Sequence, residues 1–448
     1  MKPEALKLTK NKSLDIDEHM LLRLLTKVLI SKRSPNVEIK EFFEVRRPSK
    51  VQREAFVDIV FFVLHHKKRL FSSLQESNNQ RNFSTVVSGV LRLAMSIWIS
   101  SDNLPLNMRN RDTLDAFKRF KLFENGFFPD YSKVSIRFSY PVWIVKNLAE
   151  KKGPNNAFRA LCGSKKSNFI CLRVNTGKSK VGEMSKRLSL RGVKNEVSPI
   201  ISNCLYISNK IKVSNFDAYR EGLFEIQDFG SQLIVKLLNP RPYSLVVDFC
   251  CGAGGKALAS SARMKNTGLI YALDVSQKRI DELNKRAKRA GVTNICPLVI
   301  SSLEDSKIEN LSQRASFVLV DVPCTGSGTF GQFPHLKWQL TRKKLAEYKE
   351  NQSKILDKAA SCVAKGGFLV YATCSFFEEE NDIVTNEFLK KNEDFESVGW
   401  NGCFSAKVRK ELAPWVEDSF GGGALLYSSP ISKYSFYFHK FIRQGKSA

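Results

Sequence analysis

The 448-residue chain is short of several features that would have placed it quickly. Its ten cysteines include no C-x-x-C pair, which argues against a zinc ribbon and against a thioredoxin-like redox site. In a reducing compartment they are expected as thiols, mostly buried as small apolar residues. Long apolar runs are missing as well: the stretch Phe56 to Leu64 is nine residues and carries Asp58, against the roughly 20 apolar residues a membrane span needs. The opening Met1 to Lys12 is basic but has no apolar core behind it, so no secretory leader and no membrane partner are expected, and the cytoplasm is the expected location. There is no internal repeat and no low-complexity tract. Acidic residues are scarce relative to basic ones, 44 against 71, and the net charge of +27 favours a polyanionic partner such as nucleic acid or an anionic membrane surface. With 43% apolar and 26% charged residues the rest is ordinary globular protein, long enough for two or three domains.

Three textures follow one another. From about residue 14 to 125 apolar residues recur three and four apart, as in Leu21, Leu24, Leu25 and Val28 and again in Phe56, Ile59, Val60 and Val63, which predicts an all-helical block whose stripes form a core. Gly126 to Pro141, rich in aromatics and turn formers, reads as a boundary. The runs Phe169 to Val174, Lys180 to Leu190, Val193 to Ser198 and Cys204 to Ser208 then suggest a small mixed sheet with a helix, a type of module often used against RNA. After Asp228 short apolar runs alternate with helical spacing: Leu245 to Phe249, Leu269 to Asp274, Cys296 to Ile300, Phe317 to Asp321 and Phe368 to Tyr371. Ser276 stands as an N-cap and Gly291 closes that helix. Such alternation predicts a mostly parallel, doubly wound α/β sheet covered on both faces, finished by an antiparallel hairpin from Ala424 to Ser428 and Tyr434 to Phe441.

Strand Leu245 to Phe249 runs into Cys250-Cys251-Gly252-Ala253-Gly254-Gly255-Lys256 and a helix, where glycines let a ligand approach the backbone at a helix N-terminus. Asp274, 22 residues beyond Gly252, ends the next strand, where a carboxylate commonly accepts from a ribose. A nucleoside-containing cofactor is implied; the spacing does not separate a dinucleotide from S-adenosylmethionine. Two further strand ends carry Asp321-Val322-Pro323-Cys324 and Tyr371-Ala372-Thr373-Cys374-Ser375, so that both cysteines are expected at the carboxyl edge of the sheet. Cytosine chemistry gives a reason for two thiols. C5 of cytosine is too poor a nucleophile to take a methyl group directly, whereas a thiolate added at C6 makes C5 an enamine carbon; elimination must then remove the C5 proton and expel the thiolate.

The chain here resembles the RNA cytosine-5 methyltransferases, in particular the bacterial Sun or Fmu branch that acts on ribosomal RNA. The likeness runs from Gln227-Asp228-Phe229-Gly230-Ser231-Gln232 through Val247-Asp248, the Gly-Gly-Lys loop, Asp274 to Arg279, the two cysteine motifs, Gln352 and Glu380-Asn381. Upstream, Pro141-x-Trp143 and Leu172-Arg173-Val174-Asn175 look like the family's small RNA-contacting module. The resemblance implies a Rossmann-like methyltransferase domain over 216–448, an α+β module over 126–215 and a NusB-like helical domain over 1–125. It makes Cys374 the nucleophile and Cys324 the residue assisting release, with Asp321 holding the cytosine edge and Lys256 beside it. Cys250, Cys251, Gly252, Ala253, Gly254, Gly255 and Lys256 would wrap the methionine part of S-adenosylmethionine, with Asp274 on the ribose and Arg279, Ser302 and Asp321 completing the cofactor contacts. No metal is implied. Because the base must reach the sheet edge, it is expected single-stranded or unstacked, and the protein is expected to act as a monomer.

The chain departs from the family at four places. The usual Ala-Ala-Pro-Gly-Gly-Lys is Cys251-Gly252-Ala253-Gly254-Gly255-Lys256; Ser302 stands where an Asp commonly meets the adenine; Phe330-Gly331-Gln332-Phe333-Pro334-His335 replaces an arginine-bearing loop; and Lys433-Tyr434-Ser435-Phe436 replaces Asp-Gly-Phe. Two other function classes stand beside the leading one. A small-molecule or protein methyltransferase on this fold would need neither the cysteine pair nor the positive charge, and an RNA-binding assembly factor with decayed catalysis would not need Cys324, Cys374, Asp321 and Lys256 intact. Transfer RNA is the alternative substrate.

Overall fold

The computed structural model describes residues 16–75, 83–99, 116, 130–163, 169–208, 211, 213–419 and 421–445. The expectations for Met1 to Lys12, and parts of those for 14–125 and 126–141, lie outside these residues. Contacts divide the chain into two compact units, Met1–Leu161 with Phe333–Gln339, and Cys162–Gln332 with Leu340–Ala448.

The first unit is helical. Helix Glu18–Ile30 begins where Asp17 accepts from the Met20 N–H at 2.8 Å, an N-cap, and helix Pro35–Arg46 begins on a proline, whose fixed φ suits the first turn. With Lys50–Gln75 and Phe83–Ile99 these helices bury the stripes read from the sequence: Leu21, Leu24, Leu25, Phe56, Ile59, Val60 and Val63 are fully buried in one cluster. Helices Tyr131–Phe138 and Val142–Cys162 follow, the latter kinked at Gly153, which has φ +73°. The inserted segment Phe333–Gln339 is held by Lys337 Nζ donating to the His65 carbonyl at 3.2 Å and Trp338 Nε1 donating to the Leu64 carbonyl at 3.0 Å. Burial pushes the Lys337 ammonium down to about 7, and it lies 4.4 Å from the Tyr140 ring centroid, a cation–π contact.

The second unit opens with strands β1 (Phe169–Val174), β2 (Asn195–Val197), β3 (Cys204–Ser208) and β4 (Phe224–Ile226), which form one sheet in the order β2-β3-β1-β4. Helix Val181–Ser189 stands between β1 and β2. The expected mixed sheet is antiparallel at every pairing. Strand β4, unanticipated at three residues, comes from the part assigned to the methyltransferase domain and pairs with β1.

The second sheet contains β5 (Leu245–Asp248), β6 (Leu269–Asp274), β7 (Ile295–Val299), β8 (Ala315–Asp321), β9 (Val363–Thr373), β10 (Phe395–Val398), β11 (Val416–Asp418), β12 (Ala424–Leu426) and β13 (Phe436–Arg443). Its order is β11-β12-β13-β9-β8-β5-β6-β7, with β10 on β13. Strands β5 to β9 pair parallel and β10 to β13 antiparallel, as the alternation of apolar runs and the terminal hairpin predict. The chain winds from β5 through β6 to β7 and returns as β8 on the other side of β5. The strand order reverses there, and in open α/β sheets ligands bind in that crevice at the carboxyl ends.

Candidate active site

The register of the central strands decides which residues meet. Asp248 at the end of β5 pairs with Leu319 of β8, and Asp321 at the end of β8 pairs with Ala372 of β9. The segments that leave β5, β8 and β9 therefore emerge side by side, carrying the glycine loop, Pro323-Cys324 and Cys374-Ser375.

The glycine loop is shaped by its backbone. Gly252 has φ +55° and open space where a Cβ would stand. Gly254, with φ +76°, has no such room, because a Cβ would fall 2.5 Å from Leu283 Cγ. Helix Gly255–Arg263 starts directly after it, so its N-terminal amides face the loop. Asp274 Oδ2 accepts from the Gly252 N–H at 2.9 Å and Oδ1 from the Ser276 N–H at 2.9 Å, while Arg279 lies 3.6 Å from Oδ2 with its side chain 60% exposed. The Ala253 carbonyl accepts from Arg286 at 2.7 Å. Cys251 is buried and Cys250 half-buried, and burial raises both thiols, so neither is a ready nucleophile.

Asp248 is the unexpected member of this loop. It is 1% exposed, and neither carboxylate oxygen has a partner in hydrogen-bonding geometry, although the Ala257 N–H is turned towards it. Burial pushes it up to about 7 against the pull of Lys256. An unsatisfied buried carboxylate, an open space over Gly252 and a helix N-terminus suit the ammonium and carboxylate of an amino-acid moiety, and Asp274 beside them suits a hydroxyl-bearing sugar. This donor set fits S-adenosylmethionine.

Ser302, expected on the adenine side, stands exposed in the turn after β7, its hydroxyl accepting from the Glu304 N–H at 3.2 Å. The acid in that neighbourhood is Asp305, whose carboxylate accepts from the Ser301 N–H at 2.9 Å, the Ser301 hydroxyl at 3.1 Å and the Lys307 N–H at 3.0 Å.

Across the crevice, Lys256 Nζ donates to Asp321 Oδ2 at 2.5 Å and reaches Ser231 Oγ at 3.4 Å. Burial alone would lower the lysine, but Asp321 at this distance outweighs it and holds Lys256 above its ordinary value, as a cation. The Sγ atoms of Cys324 and Cys374 are 3.0 Å apart, and both thiols are half-buried. The hydrogen bond with Cys374, then burial and the charges of Cys374 and Glu380, hold the Cys324 thiol well above the ordinary range. The two loops are also zipped through their backbones: Val322 N–H donates to the Ala372 carbonyl at 3.1 Å and Gly328 N–H to the Cys374 carbonyl at 2.9 Å. Gly328 leaves no room for a side chain, since a Cβ would lie 2.3 Å from the Ser435 carbonyl oxygen, and its own carbonyl accepts from Ser435 N–H at 3.1 Å.

Of the sequence-derived residues, the structure gathers Lys256 with Asp321, Cys324 with Cys374, and the glycine loop with Asp274. Sequence reading passed over Asp248 as a site residue and Glu380 as more than a motif letter. A charged residue closing an apolar strand, as Asp248 closes Leu245 to Val247, is the faint signal the first leaves, whereas Glu380, the third of three glutamates in a row, leaves none.

A doubly wound sheet with a glycine loop, a strand-end carboxylate on the second strand and two thiols on the fourth and fifth defines a Rossmann-like fold of the methyltransferase type. Residues 235–415 match the model of the family described as 16S rRNA methyltransferase RsmB/F. Among its relatives are a probable ribosomal RNA small subunit methyltransferase B of Bacillus subtilis, 28% identical over 64% of this chain and 63% of that one, and a mouse 28S rRNA (cytosine-C(5))-methyltransferase, 29% identical over 57% and 32%. The chain thus spans just under two thirds of the length of the bacterial relatives it matches. Among solved structures it is similar to a methyltransferase homologue from Pyrococcus horikoshii, with a TM-score of 0.58 and 26% identity over 71% of this chain and 99% of that one. The protein PH0851 shares the fold at a TM-score of 0.73 and 24% identity, over 96% and 100%.

Proposed function

We propose that the protein methylates C5 of cytosine in RNA, with ribosomal RNA as the substrate class, and that Cys374 is its nucleophile and Cys324 the residue that ends the cycle. The observation that carries the reading is the thiol pair, 3.0 Å apart at the same sheet edge as the Lys256–Asp321 ion pair. A small-molecule or protein methyltransferase has no use for the second thiol, and the net charge of +27 suits a polyanion. No helix among the described residues is long and apolar enough to cross a membrane. On this reading the protein works as a monomer in the cytoplasm.

When bound, S-adenosylmethionine supplies the methyl group as an electrophile at its sulfonium. The chain's own residues do the rest. Cys374 gives up its thiol proton to solvent, and the thiolate Sγ bonds to C6 and shifts the C5–C6 electron pair to C5, making it the attacking carbon. Asp321, fixed by Lys256, accepts from the exocyclic amine of cytosine; uracil presents an acceptor at that place and meets repulsion from a carboxylate. After methylation Cys324 passes its own proton to the departing Cys374 Sγ 3.0 Å away and takes the C5 proton in its place, as the C5=C6 bond re-forms and the C6–S pair returns to Cys374. The half-buried thiols also require the base to leave its stack.

The test is nucleoside analysis of RNA incubated with the full-length protein and labelled S-adenosylmethionine. The label should appear in 5-methylcytidine, and label on adenine or on protein would sink the reading. Bisulfite sequencing of RNA from cells with and without the gene separates ribosomal from transfer RNA. RNA affinity should fall steeply between about 50 and 200 mM salt, because bound phosphates release counterions; a flat dependence would remove the positive charge from the argument.

A further inference from the structure

We infer that Glu380 is the positioning residue of the thiol pair, one buried carboxylate that clasps both cysteine-bearing loops and sets the geometry in which Cys374 and Cys324 meet. The inference rests on the roles just given to the two thiols. Glu380 is fully buried, and its Oε1 accepts from the Thr325 N–H at 2.8 Å and from Gln352 Nε2 at 2.9 Å. Its Oε2 accepts from the Thr325 hydroxyl at 2.5 Å and from the Ser375 hydroxyl. Thr325 directly follows Cys324 and Ser375 directly follows Cys374, so one side chain holds the residue next to each thiol. The clasp reaches the other flank of Cys324 too, because Gln352 Nε2 also donates to the Pro323 carbonyl at 2.9 Å. Glu380 is in turn anchored, its carbonyl accepting from the Tyr371 hydroxyl at 2.7 Å.

All four donors are neutral. Burying a carboxylate without a cation is costly, and the cost is offset here only by filling both oxygens with hydrogen bonds. An apolar residue would pack in this place without that cost, so the carboxylate's use lies in the geometry it imposes. The sheet does not need it: β8 and β9 are already paired through Val322 to Ala372 and Gly328 to Cys374. Those backbone bonds fix the strands, while the direction in which the two Cα–Cβ bonds point is set by the residues flanking each thiol, where Glu380 acts.

The experiment uses full-length wild type, Glu380→Ala, Glu380→Gln and Thr325→Val, with two measurements. The first is methylation kinetics. The second, without RNA, is the rate at which the azo oxidant diamide closes a Cys324–Cys374 disulfide, read by peptide mass: two S–H bonds break, one S–S bond forms, and diamide takes up two electrons and two protons to become the hydrazine. Glu380→Ala should close the disulfide at least about tenfold more slowly, since that bond tolerates little misalignment. It should lose about 10²-fold in kcat, as a thiol displaced by about 1 Å does, with S-adenosylmethionine affinity unmoved. Glu380→Gln should stay within about tenfold of wild type in both, because an amide nitrogen at the Oε2 position donates to the two hydroxyls, which can accept instead. A folded Glu380→Ala that closes the disulfide at the wild-type rate overturns the inference. Should circular dichroism show Glu380→Ala unfolded, Thr325→Val decides: slower closure supports the clasp and wild-type closure overturns it. Wild type that yields no 5-methylcytidine while the disulfide rates behave as stated removes the functional reading and leaves the clasp standing.

Discussion

The glycine loop and the thiol corner lie at the same sheet edge and are built in opposite ways. The loop Cys250 to Lys256 owes its shape to backbone: two glycines at positive φ, a helix start, and Asp274 tying Gly252 to Ser276. The thiol corner owes its shape to side chains, with Thr325, Ser375, Gln352 and Glu380 in one buried network and Ser327 Oγ accepting from the Phe376 N–H at 2.9 Å. A binding loop must leave space for its ligand, and glycine sterics do that without occupying it. On the proposed mechanism two reacting sulfurs must be held to a fraction of an ångström, which takes redundant hydrogen bonds.

That contrast breaks most sharply at Cys374. Cys374→Ala should give neither product nor covalent RNA adduct, since the enamine is never generated; methylation above background by a mass assay would reassign the nucleophile. Next in size is Cys324→Ala, which should still methylate once per active site and then hold its RNA in an adduct that survives a denaturing gel, with turnover down by about 10²–10⁴. A stable adduct with Cys374→Ala in place of Cys324→Ala would reverse the two roles, and lower activity without any adduct would leave Cys324 as mere packing behind Pro323.

On the loop side the effects are smaller and act through binding and stability. Gly254→Ala forces a side chain into φ +76° against Leu283. It should cost about 1–3 kcal/mol in urea unfolding and weaken S-adenosylmethionine binding, while diamide closure of the thiol pair stays at the wild-type rate. Equal damage to both would mean the two regions are one unit. The smallest effect is titration of Asp248. Its folded-state value of about 7 lies above the ordinary value of 3.8, so between the two the folded chain holds a proton the unfolded chain has lost. Its contribution to stability is therefore fully present below about pH 4 and is lost as pH rises through 7. Asp248→Asn should remove that slope, so the mutant should gain on wild type in unfolding free energy between pH 5 and 8. A difference independent of pH would show the carboxylate to be ionised throughout.

How far the sequence could be read follows the range of each interaction. β1 and β6, and helix Gln277–Ala290 with its Ser276 and Gly291 ends, match their sequence limits because apolar pattern and punctuation are local. Cys324, Cys374, Asp321 and Lys256 were legible as motif positions, and strand register brought them to one edge. β4, β10 and β11, of three or four residues, escaped because so short a run carries no period. β9 was read too short, since Gly366 and Gly367 look like a break yet lie within it. The Glu380 clasp joins residues 55 apart, and nothing in the neighbours of Glu380 announces Thr325. Asp248 looked like one more motif letter because a missing partner leaves no trace in a sequence.

The seam at Gly328 has a consequence for the newborn chain. Ser435 bonds Gly328, which bonds the Cys374 carbonyl, and β13 covers the edge of β9 that would otherwise stand open. Ribosomes release chains from the N-terminus at about 5–20 residues per second. Both thiols therefore leave the exit tunnel before the strand that seals them has been made. Whatever folds first, the corner is finished last, and a chain stopped short of Phe436 carries every residue of the proposed chemistry without the closed edge in which to use it.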